Sequence, residues 1–269
     1  MPREGNRTAV KYMTQDERLE YLIRYLLAER REYAGIAMPG SVDERRRLLR
    51  SLLNVRAPSA IGVDFLTVQD EYLQERLTER GVQRVEDLQP AEPGIYLWQG
   101  DITTLAADGI VNAANSGMTG CYVPCHGCID NAIHTYAGVQ LRLECARIMA
   151  AQGHEEPTGA AKITSGYNLP AKYVLHTVGP IVRGNPTLRD CELLARCYRS
   201  CLELAAERKL GSVAFCCIAT GEFGFSNCPA ADIAVKAVRD FKARTGSEMK
   251  VIFNVFKDKD YEIYSDLLG

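Results

Sequence analysis

The run Val213-Ala214-Phe215-Cys216-Cys217-Ile218-Ala219 passes directly into Thr220-Gly221-Glu222-Phe223-Gly224-Phe225, and a helical pattern opens near Pro229. An unbroken apolar run of this length has the texture of a strand buried on both faces. Strand, glycine loop and helix in succession form the connection by which a sheet presents main-chain N–H groups to an anion such as a diphosphate. A glycine loop alone specifies little, so the surroundings carry the reading. Short β-rich runs recur at 95–98, 110–111, 162–164, 173–176 and 251–255, and helical periodicity fills 132–150, 188–208 and 230–244. This alternation predicts an α/β fold with a largely parallel or mixed sheet and helices on both faces. Ligands of such sheets sit at the carboxyl ends of the strands.

Toward the N-terminus the texture becomes helical. Leu19, Leu22, Ile23, Leu26 and Leu27 share one helix face. Ser41 followed by Glu44 is a capping-box pattern that opens a second helix carrying Leu48, Leu49, Leu52 and Leu53. A third helix is predicted over 64–79, with Phe65, Tyr72, Leu73 and Leu77 inward, ended by Arg80-Gly81. Pro90 and Pro93 mark a boundary within 88–94, dividing the chain into a helical extension over 1–90 and an α/β domain over 91–269. The arginines of Glu44-Arg45-Arg46-Arg47 and Arg50 read as the solvated face of the second helix.

Composition excludes several classes of function. With 269 residues, 46% hydrophobic and 25% charged, the chain has the make-up of a soluble globular protein able to bury a core. A net charge of -2 supplies no global basic field for nucleic acid or an anionic membrane. No apolar run approaches the ~18 residues of a membrane span, and residues 1–12 contain no signal-type apolar region. A cytoplasmic protein without nucleic-acid or membrane partners is expected. Of the ten cysteines, Cys191, Cys197 and Cys201 fall in a helical pattern, and Cys216 and Cys217 in the apolar run, as buried free thiols of a reducing compartment do.

Cys121, Cys125 and Cys128 differ, because they are packed into eight residues together with His126. Thiolate and imidazole suit zinc, and Cys121, His126 and Cys128 are close enough in sequence for one loop to wrap a tetrahedral ion. Three protein ligands leave a fourth position open, the pattern of a catalytic site. Cys125 offers a fourth thiol, which would close the sphere and make the metal structural; Cys125-His126-Gly127-Cys128 also has C-x-x-C redox spacing. Two further loops follow predicted strands. In Gly100-Asp101-Ile102-Thr103, Asp101 is suited to cap a helix; in Asn112-Ala113-Ala114-Asn115, the amides are suited to hydrogen-bond the loop backbone. Asp130 reads as an N-cap of a helix starting near Ala132, His134 as packed in that helix, His176 as structural and His154 as exposed.

In this order, Gly100-Asp101-Ile102-Thr103, Asn112-Ala113-Ala114-Asn115, Ile129-Asp130-Asn131-Ala132-Ile133-His134, Ala137-Gly138, Thr158-Gly159-Ala160-Ala161, His176-Thr177-Val178-Gly179-Pro180 and the 221–225 loop resemble the macrodomain family. Gly120-Cys121-Tyr122-Val123-Pro124-Cys125-His126-Gly127-Cys128 looks like the signature of its zinc-containing branch, and 48–56 with 69–73 resembles that branch's N-terminal extension. The resemblance implies a three-layer α/β/α macrodomain with a central mixed sheet and ADP-ribose as ligand. It puts Asp101, with Ile102, at the adenine, Asn112 and Asn115 in the pocket with Asn115 reaching the distal ribose, and Thr220, Gly221, Glu222, Phe223, Gly224 and Phe225 around the diphosphate. It makes Asp130, with Asn115, catalytic beside zinc. The implied activity is zinc-dependent removal of mono-ADP-ribose from protein side chains, ester-linked at Asp or Glu, reversing a sirtuin-type transferase acting on a lipoyl-carrier protein. Alternatives are deacetylation of O-acetyl-ADP-ribose and a non-catalytic ADP-ribose reader with structural zinc. Ser226 departs from the family, where many members carry Pro after the Gly-Phe of the phosphate loop.

Overall fold

The computed structural model describes residues 13–269, and the reading made of residues 1–12 lies outside them. Helix α1 (Gln15–Ala28) is opened by a reciprocal capping box between Thr14 and Glu17. Helix α2 (Val42–Val55) begins at Ser41, whose hydroxyl oxygen accepts from the Glu44 N–H; the Glu44 carboxylate takes the Ser41 hydroxyl, so only half of the expected box forms. Helix α3 (Val63–Arg80) stops at Gly81, which adopts φ +80°. The apolar stripes of the three helices, from Leu19 and Leu22 through Leu49 and Leu52 to Phe65 and Tyr72, bury one another in a small core of their own.

The chain then enters a sheet layer through β1 (Gln83–Arg84), β2 (Pro90–Glu92), β3 (Ile95–Gln99), β4 (Leu105–Ala106) and β5 (Gly109–Ala114). Helices α4 (Ile129–Ala137) and α5 (Val139–Gln152) lead to β6 (Ala161–Ser165) and β7 (Tyr173–Val178). Helix α6 (Leu188–Glu207), β8 (Ser212–Phe215), α7 (Asn227–Thr245), β9 (Lys250–Val255) and α8 (Asp258–Leu268) complete the fold. The main sheet runs β2-β3-β9-β8-β5-β7-β6. Its inner pairs are parallel and its two edge pairs, β2 with β3 and β6 with β7, antiparallel, so the sheet is mixed. Helices α6, α7 and α8 touch in that order in one layer, α4 and α5 form the other, and α2 packs on α4. This is the three-layer α/β/α architecture with preceding helices.

One consequence of strand order positions the site. β5 and β8 are parallel neighbours, Gly109 opposite Val213. The loops leaving their carboxyl ends, 115–128 and 216–226, therefore adjoin although a hundred residues separate them in sequence.

The structure departs from the sequence reading at several places. The strand expected over 213–218 ends at Phe215, because the chain turns at once: Thr220 N–H donates to the Cys217 carbonyl and Ala219 takes φ +65°. The boundary segment 88–94 contains the edge strand β2. Helix α8 was not anticipated, although Tyr264 and Leu268, both buried and four apart, carry its signal. The helix expected over 132–150 starts earlier, at Ile129, and is broken at Gly138, which has φ +92°. Gly138 also lies where a Cβ would come within 2.6 Å of Gln69 Nε2 and 2.7 Å of Gln140 Oε1. Those amides bond each other at 2.7 Å where α3 docks on α5. Gly138→Ala should therefore destabilise the protein by about 1–3 kcal/mol, measurable as a lowered denaturant midpoint; an unchanged midpoint would show that the break relaxes freely.

Among the described residues, no helix is long and apolar enough to cross a membrane.

Candidate active site

Strand β5 is buried on both faces, and Asn112 is a polar residue placed inside it, 0% exposed. A buried amide needs partners. Its Nδ2 donates to Asp130 Oδ1 at 2.7 Å and approaches His176 Nδ1 at 3.2 Å, while its Oδ1 has no partner. Asn115, just past the strand, accepts from Gly117 N–H at 3.0 Å and donates to the Gly120 carbonyl at 3.1 Å, so it does organise the loop backbone. The same Nδ2 lies 3.5 Å from Asp130 Oδ2. Both amides therefore converge on Asp130.

Asp130 occupies the first turn of α4, but it is not the cap. Cys128 is, its Sγ accepting from Asn131 N–H at 3.4 Å, because the helix starts three residues before the expected Ala132. Asp130 is 4% exposed, and burial pushes its carboxyl up to about 6 against the opposing pull of Asn112 and Arg142. His134, one turn on, brings Nε2 to 3.6 Å from Asp130 Oδ1, and neither ring nitrogen has a hydrogen bond. Burial keeps that imidazole neutral.

Cys121, His126 and Cys128 bring their ligand atoms within 4.8 Å of one another. Cys121 Sγ is 3.7 Å from His126 Nδ1. Bonds of ~2.3 Å to sulfur and ~2.0 Å to nitrogen at a tetrahedral angle require a separation of about 3.6 Å, so this edge already has the dimension of a zinc site. The other ring nitrogen, Nε2, faces Glu222 at 3.5 Å, the carboxylate–imidazole arrangement that orients metal-binding histidines. Burial pushes the Cys128 thiol up to about 12, and a cation in the cluster is what would draw off its proton. The donor set fits zinc. Cys125 turns away: its Sγ lies 3.2 Å from Ser51 Oγ and 3.4 Å from the Arg47 carbonyl, on the α2 side of the loop. A second grouping, His134, Cys145 and His176, is wholly buried. There both His176 nitrogens are engaged, by Asn112 and by Thr164 at 2.9 Å, and burial keeps the ring neutral and the Cys145 thiol protonated. It is the packed core that sequence reasoning assigned to His176.

The 121–128 loop, the candidate metal loop, is braced by residues that sequence reasoning left without a role. Arg50, read as part of a solvated face, donates to Asn131 Oδ1 at 2.8 and 3.1 Å and to the His126 carbonyl at 3.0 Å. Asn54 accepts from Cys125 N–H at 2.9 Å. Arg142, 5% exposed, caps the end of α2 through the Leu53, Asn54 and Arg56 carbonyls, reaches the Cys121 carbonyl at 3.4 Å, and stacks on Tyr122. The only sequence signal was an arginine adjoining the leucine stripe of α2. Arg50→Ala should weaken zinc retention roughly 10- to 100-fold, read by competition with a chromogenic chelator; unchanged retention would make the brace irrelevant to the metal.

The remaining expected residues lie on two loops. Asp101 caps a short 3-10 turn, Ile102–Thr104, accepting from Thr103 N–H at 3.0 Å, and its other oxygen accepts from Arg80 at 3.0 Å. The Ile102 side chain is buried in the core. In the 220–225 loop, Gly224 N–H donates to the Gly221 carbonyl and Phe225 N–H to the Ala219 carbonyl. The Gly221, Glu222 and Phe223 N–H groups donate to no described main-chain carbonyl outside helices and strands. They stand just before α7 begins at Asn227, where the helix dipole adds positive potential. Phe225 is buried, Phe223 half-buried, and Thr220 bonds the Cys217 carbonyl.

The Macro domain family profile matches residues 111–234. A protein of Treponema medium named protein-ADP-ribose hydrolase is 57% identical over 261 residues, covering 96% of this chain and 100% of that one. A protein of the same name from Staphylococcus aureus (strain MSSA476) is 50% identical over 251 residues, covering 93% of this chain and 94% of its own. Among solved structures, a Trypanosoma brucei macrodomain in complex with ADP-ribose is similar with a TM-score of 0.64 and 33% identity, over 82% of this chain and 95% of that one.

Proposed function

The chain belongs to the macrodomain family, and from that premise we propose that it is a zinc-dependent hydrolase removing mono-ADP-ribose from protein side chains, with an ester at Asp or Glu as the linkage. The observation that carries this is the position of Asp130: buried, two residues after the ligand Cys128, and held by both Asn112 and Asn115. The activity named for the Treponema medium and Staphylococcus aureus relatives supports it. The helices of 1–90 act as an extension bracing a catalytic domain of 91–269. The ten cysteines, all free thiols, support a reducing, cytoplasmic setting.

In this reading the Gly221, Glu222 and Phe223 N–H groups hold the diphosphate, Asp101 meets the adenine at the other end, and Asn115 meets the distal ribose. Cys121, His126 and Cys128 would hold zinc, which when bound would supply Lewis acidity beside the scissile ester. Asp130 accepts the proton of the attacking water. Burial favours that role, since desolvation raises the basicity of the carboxylate. Asn112 fixes Oδ1 at 2.7 Å, and Oδ2, with only the longer 3.5 Å contact to Asn115, is the oxygen that accepts from the water.

The test is release of ADP-ribose from a peptide mono-ADP-ribosylated on glutamate, by zinc-loaded protein, after chelation, and after zinc is restored. Release that stops with chelation and returns with zinc is expected. Tight ADP-ribose binding by loaded protein without release would replace the hydrolase by a reader.

A further inference from the structure

Between α2, α3 and α4 lies a cavity of about 390 Å³ that the chemistry above does not use. Four arginines line it: Arg46, Arg47, Arg50 and Arg76. Their charges are under-compensated. Arg46 and Arg76 share one carboxylate, Glu79, and the second near Arg46 is Asp43 at 3.6 Å, whose side chain is 93% exposed. Arg50 donates only to neutral groups, Asn131 and the His126 carbonyl. Arg47 is exposed, and its guanidinium has no partner among the described residues. Arg46 Nε is buried without an acceptor. Leu49, Leu53, Leu73 and Tyr136 supply apolar lining beside these cations. Such a cavity is complementary to carboxylates carried on an aliphatic or aromatic body.

Its place relative to the metal cluster decides whose carboxylates these are. Cys125 lines the cavity, and the next residue, His126, turns its ring to the metal cluster. Consecutive Cα atoms are about 3.8 Å apart, so cavity and cluster adjoin along one loop. An extended peptide advances roughly 3.3–3.6 Å per residue, which brings residues a few positions from a modified side chain over the cavity.

We propose that this cavity docks an acidic segment of the ADP-ribosylated protein, adjacent to the modified residue, and so selects protein substrates by the charge around the linkage. The proposal rests on the hydrolase reading above. Arg47 is its exposed contact and Arg76 the second; Arg47 meets the 121–128 loop only through its main-chain carbonyl, which a side-chain substitution keeps, and neither guanidinium bonds that loop, Asp130 or the nucleotide loops.

The experiment compares three substrates on the zinc-loaded protein: a glutamate-ADP-ribosylated peptide with three flanking acidic residues, the same peptide with these made neutral, and O-acetyl-ADP-ribose, an ester without a peptide. The acidic peptide should have the highest kcat/KM, through a lower KM. Arg47→Glu, and separately Arg76→Gln, should lower kcat/KM on the acidic peptide, roughly tenfold for the charge reversal, and leave O-acetyl-ADP-ribose turnover unchanged. Equal kcat/KM for the two peptides, or an equal loss on all three substrates, overturns the docking site. Fluorescence anisotropy of the labelled, unmodified acidic peptide gives an independent readout. If nothing is hydrolysed, the hydrolase reading fails, while peptide binding lost in Arg47→Glu still upholds the acidic cavity. Absence of binding, or displacement of the peptide by millimolar inorganic phosphate as readily from Arg47→Glu as from the natural protein, overturns it.

Discussion

Cys128→Ala should lose bound zinc and at least roughly 100-fold of the hydrolytic rate together. Cys128 is both a proposed metal ligand and the N-cap of α4, its sulfur accepting from Asn131 N–H. Loss of the cap costs about 1 kcal/mol, which a helix buried against β5 and braced by Asn54 through Thr135 withstands. Loss of the thiolate leaves two ligands, and an ion bound by two side chains of a surface loop exchanges readily. The fold should therefore survive while the metal does not. Metal content and turnover measured on the same sample decide the matter: full activity in a zinc-free variant would remove the metal from the reaction. Cys125→Ala is the internal control. Its thiol faces Ser51 and the Arg47 carbonyl, so it should keep its zinc.

Asp130→Ala should lower turnover ~100- to 10,000-fold, the usual range for removal of a general base, with at most a few-fold change in ADP-ribose affinity. The carboxylate is buried under Asn112, Asn115 and His134, and in the proposed reading the adenine and the diphosphate are held by other loops. Folding should not suffer in Asp130→Asn, since the neutral amide still accepts from Asn112 Nδ2 and avoids the desolvation of a buried charge. Single-turnover rates and calorimetric affinities separate the two quantities. Equal losses in both would make Asp130 a wall of the pocket rather than the base.

Much of this is legible in the sequence. The stripes of α1, α2 and α3 follow from leucines at helical spacing, and β5, β7 and β9 from short apolar runs bounded by turn residues. The Cys121, His126 and Cys128 cluster was legible because the three residues lie within eight positions, where chain geometry alone keeps them close. Errors clustered where local pattern competes with tertiary demand. Cys216 and Cys217 continue an apolar run, yet the chain must leave the sheet there to form the 220–225 loop. Gly138 interrupts a continuous helical pattern because α3 has to dock against the start of α5.

The sequence by itself determined the α/β alternation, the helical extension, and the grouping of Cys121, His126 and Cys128 in one loop, since each is encoded in periodicity or in residues a few positions apart. Tertiary structure alone decided which way Cys125 faces, that Cys128 rather than Asp130 caps α4, and that Arg50 and Arg142 brace the 121–128 loop through the His126 and Cys121 carbonyls. It also decided that Glu222 reaches His126 across 96 residues of chain. These are contacts between segments joined by long loops, and no local signal specifies them: an arginine on a helix face looks the same whether it meets water or a buried carbonyl. What distinguishes the two is the partner surface, which exists only once the sheet has brought the loops of β5 and β8 together and α2 has packed onto α4.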